Sequence, residues 1–136
     1  MEKQDYLQRQ IDQLGKVLAE LLGKITGSGK NPDASETLEI VSQVLNENLD
    51  WDIKQLLNIP EDNFIDTIKD NQLLDDVNIE TLADVFVEVA EHHSSNKEKL
   101  LKRALMIYKY IEKSNMTFSF TRNQKMEEVQ QKLSVL

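Results

Sequence analysis

The stretch NIETLADVFVEVAEHHSSNKEKLLKRALMIYKYIEK, Asn78 to Lys113, decides the fold. Its apolar residues recur every three or four positions, first as Ile79, Leu82, Val85, Phe86 and Val89. The pattern resumes with Leu100, Leu101, Ala104, Ile107, Tyr108 and Ile111. A period near 3.6 places each set on one face of an α-helix. Between the sets, EHHSSN breaks the pattern with short polar residues that bond to nearby backbone and favour turns. Asn78 and Asn96 stand where N-caps are expected. The stretch therefore predicts two antiparallel helices, with the small Ala104 at their close contact.

Working outward, Ser119 or Thr121 opens a final helix that carries Met126, Val129 and Leu133. Upstream, Leu73 and Leu74 form a brief helical link. Pro60, Glu61 and Asp62 suit a first helical turn, because proline needs no donor there and acids favour the positive end of the dipole. Phe64, Ile65 and Ile68 follow on the inner face. Asp50 is placed to cap a short helix with Trp51, Ile53, Leu56 and Leu57. Asp33 and Glu36 have capping-box spacing ahead of a helix with Leu38, Val41, Leu45 and Leu49. At the N-terminus, Leu7, Ile11, Leu14, Leu18, Leu21 and Ile25 keep one stripe of a long amphipathic helix apolar. Beside it, Gly15, Ala19 and Gly23 recur every four residues, a row that admits another backbone either within the chain or as a self-association face.

Both prolines and all four glycines lie before residue 61, so later turns must rely on residues such as Asn71, Asn115 and Asn123. Only residues 116–120 alternate in the manner of a strand. The fold class is all-α: a helical bundle of antiparallel helix pairs in one domain, residues 1–136. Residues 1–26 form the N-terminal helix, 27–32 a flexible linker and 33–136 the helical core.

The 136 residues carry a net charge of −8, distributed unevenly. Residues 1–30 sum to +1, residues 31–94 to −14 and residues 95–136 to +5. Such polarity suits helices whose unlike faces meet, or a basic surface offered to an acidic partner. An acidic chain without a basic cluster interleaved with aromatics argues against nucleic-acid binding. The absence of cysteine excludes disulfides, thiol nucleophiles and cysteine-rich zinc sites. With no signal-peptide pattern and no apolar run long enough to span a bilayer, a soluble cytoplasmic protein is expected, without membrane association.

Candidate chemistry is sparse. GKITGSGKN, Gly23 to Asn31, resembles a phosphate loop only superficially: Lys24 stands where the first glycine belongs, and Asn31 replaces the magnesium-binding hydroxyl. The segment also follows a helix rather than a strand, so it reads as a linker. Glu88 and His92 lie four apart, as metal ligands sometimes do, yet a carboxylate and an imidazole make an incomplete site. Histidine also suits a helix C-terminus. The pairs Asp50/Asp52, Glu61/Asp62 and Asp75/Asp76 lack the calcium-loop ligand series. Arginine is scarce, and Arg103 and Arg122, with Tyr108 and Tyr110, are candidates to line a groove for an acidic peptide. No catalytic, cofactor-binding or metal-binding residue is assigned, and no cofactor is expected.

DYLQRQIDQLGKVLAELLGK, Asp5 to Lys24, resembles the opening of a family of small bacterial helical proteins of unknown function. LLKRALMIYKYIEKSNMTFSFTRNQKM is similar to the tetratricopeptide-like end of such proteins, and the helix succession over residues 79–133 resembles a degenerate tetratricopeptide unit. The unit departs from that motif in its long first helix and turn and in lacking a closing proline. The resemblance implies a tetratricopeptide-like fold in a bacterial cytoplasm and carries over no site residues. The expected function is a non-enzymatic protein–protein interaction or scaffold module with a protein or peptide partner, as a monomer or as a homodimer through the first helix. The alternative is a small helical hydrolase or metal- or ligand-binding bundle using Glu88 and His92.

Overall fold

The computed structural model describes residues 2–26, 34–92, 94–115 and 118–136. The expected linker over 27–32, the Asp33 cap and His93 lie outside the described residues. The described chain is all-helical: α1 (Glu2–Thr26), α2 (Ala34–Leu49), α3 (Ile53–Asn58), α4 (Glu61–Lys69), α5 (Asp76–His92), α6 (Lys97–Asn115) and α7 (Phe120–Ser134). A 3-10 turn, Ser94–Asn96, leads into α6.

Helix α5 is the hub. Its apolar residues wrap so far round the helix that Ile79, Leu82, Ala83, Val85, Phe86, Val89 and Ala90 are all buried. One stripe cannot hold so many, so α5 needs partners on several sides. It packs against α6, α1 and α2, while α7 packs on α6. The α1 stripe behaves as its spacing predicts from the middle onward: Leu14, Leu18, Leu21 and Ile25 are buried, whereas Leu7 and Ile11 near its start are half-buried. Ala104 is fully buried, consistent with a small residue where α6 meets its neighbours.

Several caps differ from the sequence reading. Asp50 does not cap α3. It adopts the left-handed conformation (φ 57°) just after α2, donating its N–H to the Asn46 carbonyl. Aspartate tolerates that region better than most residues. Asp52 is the cap instead, its Oδ1 accepting from the Lys54 N–H at 2.8 Å. Pro60 is itself the N-cap of α4 rather than its first helical residue. Ser119 caps α7 as expected, accepting from the Arg122 N–H.

The most consequential difference concerns Asn78, which lies inside α5 and is 2 % exposed. Asp75 takes the capping role, its Oδ1 accepting from the Asn78 N–H at 2.9 Å. The Asn78 amide is thereby free to leave its own helix. Its Nδ2 donates to the Ile11 carbonyl of α1 at 3.0 Å and to the Leu73 carbonyl at 2.9 Å. A side-chain β-carbon at Gly15 would lie 3.0 Å from Asn78 Oδ1, so glycine is what allows α1 to approach this closely. Gly15 therefore belongs to an internal crossing. Ala19 and Gly23 are exposed, and Gly23 has no neighbour within 4 Å of a β-carbon position. The expected small-residue row thus splits between an inner contact and an outer surface.

Replacing Asn78 by alanine should lower stability by about 1–3 kcal/mol, because two carbonyls lose a shielded donor. Gly15→Ala should give little or no stabilisation in the natural background, where Asn78 must move. In the Asn78→Ala background it should recover alanine's helix preference, up to about 1 kcal/mol. Urea denaturation of the four proteins measures this coupling, and an equal Gly15→Ala effect in both backgrounds would show that the two residues do not meet.

Candidate functional site

Where α5, α6 and α7 converge, five charged side chains and a tyrosine form one connected network. Its origin is a sequence pattern on α5: Glu80, Asp84 and Glu88 are spaced four apart and so share a face, with Glu91 three residues further on. Helix α7 presents cations to that face. Arg122 Nε donates to Glu80 Oε1 at 2.9 Å, and its Nη1 donates to Glu112 Oε1 of α6, also at 2.9 Å. Lys125 Nζ, one turn later, bridges Glu80 Oε2 at 2.9 Å and Asp84 Oδ2 at 3.1 Å. Asp84 Oδ1 accepts a short 2.5 Å hydrogen bond from the Tyr108 hydroxyl. Lys132 pairs with Glu91 near the other end of α7.

Burial raises the energetic stakes of this network. Tyr108 is 1 % exposed and Arg122 8 %. Burial pushes the Tyr108 phenol well above its ordinary range, and the charge of Asp84 and the bond to it act in the same direction, so Tyr108 is a proton donor that does not ionise. For Glu80, burial raises the carboxyl, but hydrogen bonds from Lys125 and Arg122 outweigh it and hold the group below the usual carboxylate range. Burial opposes the charge on Arg122 and Lys125, yet their carboxylate partners raise both. Glu80, Arg122 and Lys125 thus favour one another's ionised forms.

Glu88 differs. Burial, then the neighbouring Glu91 charge, pushes its carboxyl above the ordinary range, with only partial opposition from Lys132 and His92. Among the described residues, none of the ion pairs or side-chain hydrogen bonds that hold Glu80, Asp84 and Glu91 reaches it. At its level α7 offers Glu128 and Val129, not a cation. A cavity of about 260 Å³ opens at this point. Leu22 of α1, Val87 of α5 and Val129 of α7 supply its apolar walls, with the Tyr108 ring beside them. Asp84, Glu88, Lys125 and Glu128 supply its polar ones.

The other residues singled out from sequence are distributed differently. Arg103 is buried on the opposite side of the network, donating Nη2 to the Ile59 carbonyl at 2.8 Å and stacking 5.1 Å from the centre of the Phe64 ring. Its Nε proton has no acceptor among the described residues. Arg103 thus fastens α6 to the α3–α4 segment, whereas Tyr108 and Arg122 belong to the junction of α5, α6 and α7, and Tyr110 is half-buried. The four do not line one groove, and both arginines are engaged within the chain. His92 is half-buried and does not line the cavity that Glu88 lines. Among the described residues no group of three or more His, Asp or Glu is placed to hold a metal ion. Among them, too, no helix is long and apolar enough to cross a membrane.

Comparisons with protein-family models, curated proteins and solved structures give no match. The reading of the site therefore rests on its geometry. Sequence reasoning passed over Lys125, Glu80 and Asp84, although the four-residue acid spacing on α5 and the Arg122–Lys125 spacing on α7 were both visible signals.

Two outcomes test this electrostatic picture. Removing Arg122 as Arg122→Met should cost about 3 kcal/mol in denaturant unfolding, because Glu80 and Glu112 lose a shared buried partner. Glu88→Gln should act in the opposite direction. A carboxyl whose folded pKa is raised destabilises the fold once it ionises, above its unfolded value of about 4.3. The variant should melt higher than the natural protein at pH 7, and the gain should disappear as pH falls below about 4. Thermal melts across pH 3–8 check the sign.

Proposed function

We propose that this chain is a non-enzymatic protein-interaction module, in which α5, α6 and α7 form a tetratricopeptide-like succession of antiparallel helices of the small bacterial type that the sequence resembles. Its recognition point is the cavity between the end of α1, α5 and α7. The observation that carries this reading is the contrast between the network and the cavity. Arg122, Lys125, Glu80, Asp84 and Tyr108 are bound to one another and act as structural supports, whereas Glu88 lines a solvent-open cavity and has no ion pair among the described residues.

The size of the cavity supports a side chain rather than a large ligand. About 260 Å³ falls below the range that encloses a drug-sized molecule, roughly 300–1,000 Å³. It is sufficient to seat one anchor residue of a partner, the usual way a few side chains dominate an interface. A small-ligand bundle using Glu88 is favoured by one fact, that Glu88 lines the cavity, but His92 stands outside it. An acidic-peptide groove built on Arg103 and Arg122 has little support, since both guanidiniums are buried and occupied.

A random-peptide display selection on the intact protein tests the proposal. Enriched peptides should bind the natural chain at least tenfold more tightly than the cavity-filled variant Val87→Trp, with circular dichroism confirming that the variant folds. Failure to enrich any peptide, or equal binding to the filled variant, would overturn it.

A further inference from the structure

We infer that the anchor accepted by this cavity is an alkylammonium group, the lysine side chain of a protein partner, with Glu88 as its recognition residue. The inference rests on the cavity being the interaction site. Its basis is a register mismatch between α5 and α7. Along α5 the carboxylates fall at Asp76, Glu80, Asp84, Glu88 and Glu91, and from Glu80 onward α7 answers with Arg122, Lys125 and Lys132. The pairs close at Glu80, at Asp84 and at Glu91. At Glu88 the series has no cation, and the cavity lies at that same missing rung. Closed rungs on both sides mean that Glu88 is not part of a freely solvated acidic face.

The walls specify the rest of the ligand. Leu22, Val87 and Val129 are suited to methylenes, and a lysine stem lies along apolar surface while its ammonium seeks a carboxylate. The Tyr108 ring already carries one ammonium, with Lys125 Nζ 5.9 Å from its centre, so the aromatic wall is compatible with positive charge. Glu128, exposed in the same lining, adds a second carboxylate. An ammonium is a compact point charge on a four-carbon stem and needs a single carboxylate, whereas a planar guanidinium is suited to bidentate partners.

Methyl chemical shifts of the natural protein titrated with n-pentylamine, with its neutral counterpart 1-pentanol and with a capped lysine-containing peptide provide the test. The amine and the peptide should move the Leu22, Val87 and Val129 methyls, with 1-pentanol at least tenfold weaker. Glu88→Gln should weaken the amine and the peptide at least tenfold and leave 1-pentanol unchanged. Equal binding of alcohol and amine, full amine affinity in Glu88→Gln, or no shift with the amine would overturn the inference. If selected peptides require an open cavity but contain no lysine, the interaction reading stands and the ammonium falls. If n-pentylamine binds through Glu88 while peptides do not, the partner's lysine falls as the source and the interaction reading falls with it.

Discussion

A carboxylate taken out of water must find donors, and α5 carries Glu80 and Asp84 into the seam where α6 and α7 meet. Everything at that end of the molecule follows from meeting this need. Arg122 and Lys125 supply the charge, Tyr108 supplies a hydroxyl, and Glu112 completes the coordination of Arg122. Helix α7 has little else to locate it: Val129 is its fully buried apolar side chain, with Met126 and Leu133 half-buried. Complete burial of a valine contributes about 1.5–3 kcal/mol. Removing one member of a buried ion pair costs about 3–5 kcal/mol. The apolar contacts therefore attach α7, but the charges determine where along α5 it rests.

That positioning has a consequence one turn further on. Once Arg122 and Lys125 are anchored at Glu80 and Asp84, residues 128 and 129 must fall opposite Glu88, and neither is a cation. The same contacts that stabilise one end of the seam thus leave Glu88 without a direct ion pair among the described residues in the middle of it. The cavity there is bounded by α1 as well, whose Leu22 and Thr26 reach it because α1 is held close to α5 by Asn78 and Gly15. A packing contact at the start of α5 and an ionic one along α7 together shape the candidate site.

Much of the fold was legible in the residues. The apolar period of α5 and α6 is strong because both helices bury a wide face, and α1 shows the same signal over its length. Caps were less legible. Asp50 and Asp52 are both residues of a type that caps helices, and so are Asp75 and Asn78; which one caps depends on where the chain bends, a matter of backbone conformation that composition does not record. The arginines illustrate a different obstacle. Arg103 and Arg122 look like surface groups because arginine usually is one, and only the packing of α3, α4 and α7 around them takes them out of water.

By itself, the sequence determined the all-helical class, the approximate helix boundaries and the segregation of acid on α5 from base on α6 and α7, because these depend on residue type and on spacing along one chain. The tertiary structure alone decided which charges meet. Lys125 lies forty-one residues from Asp84 and Arg122 forty-two from Glu80, and nothing local relates such positions. Their pairing requires α5 and α7 to pack on α6 in one register, and that register also leaves Glu88 without an ion pair among the described residues, lining a cavity.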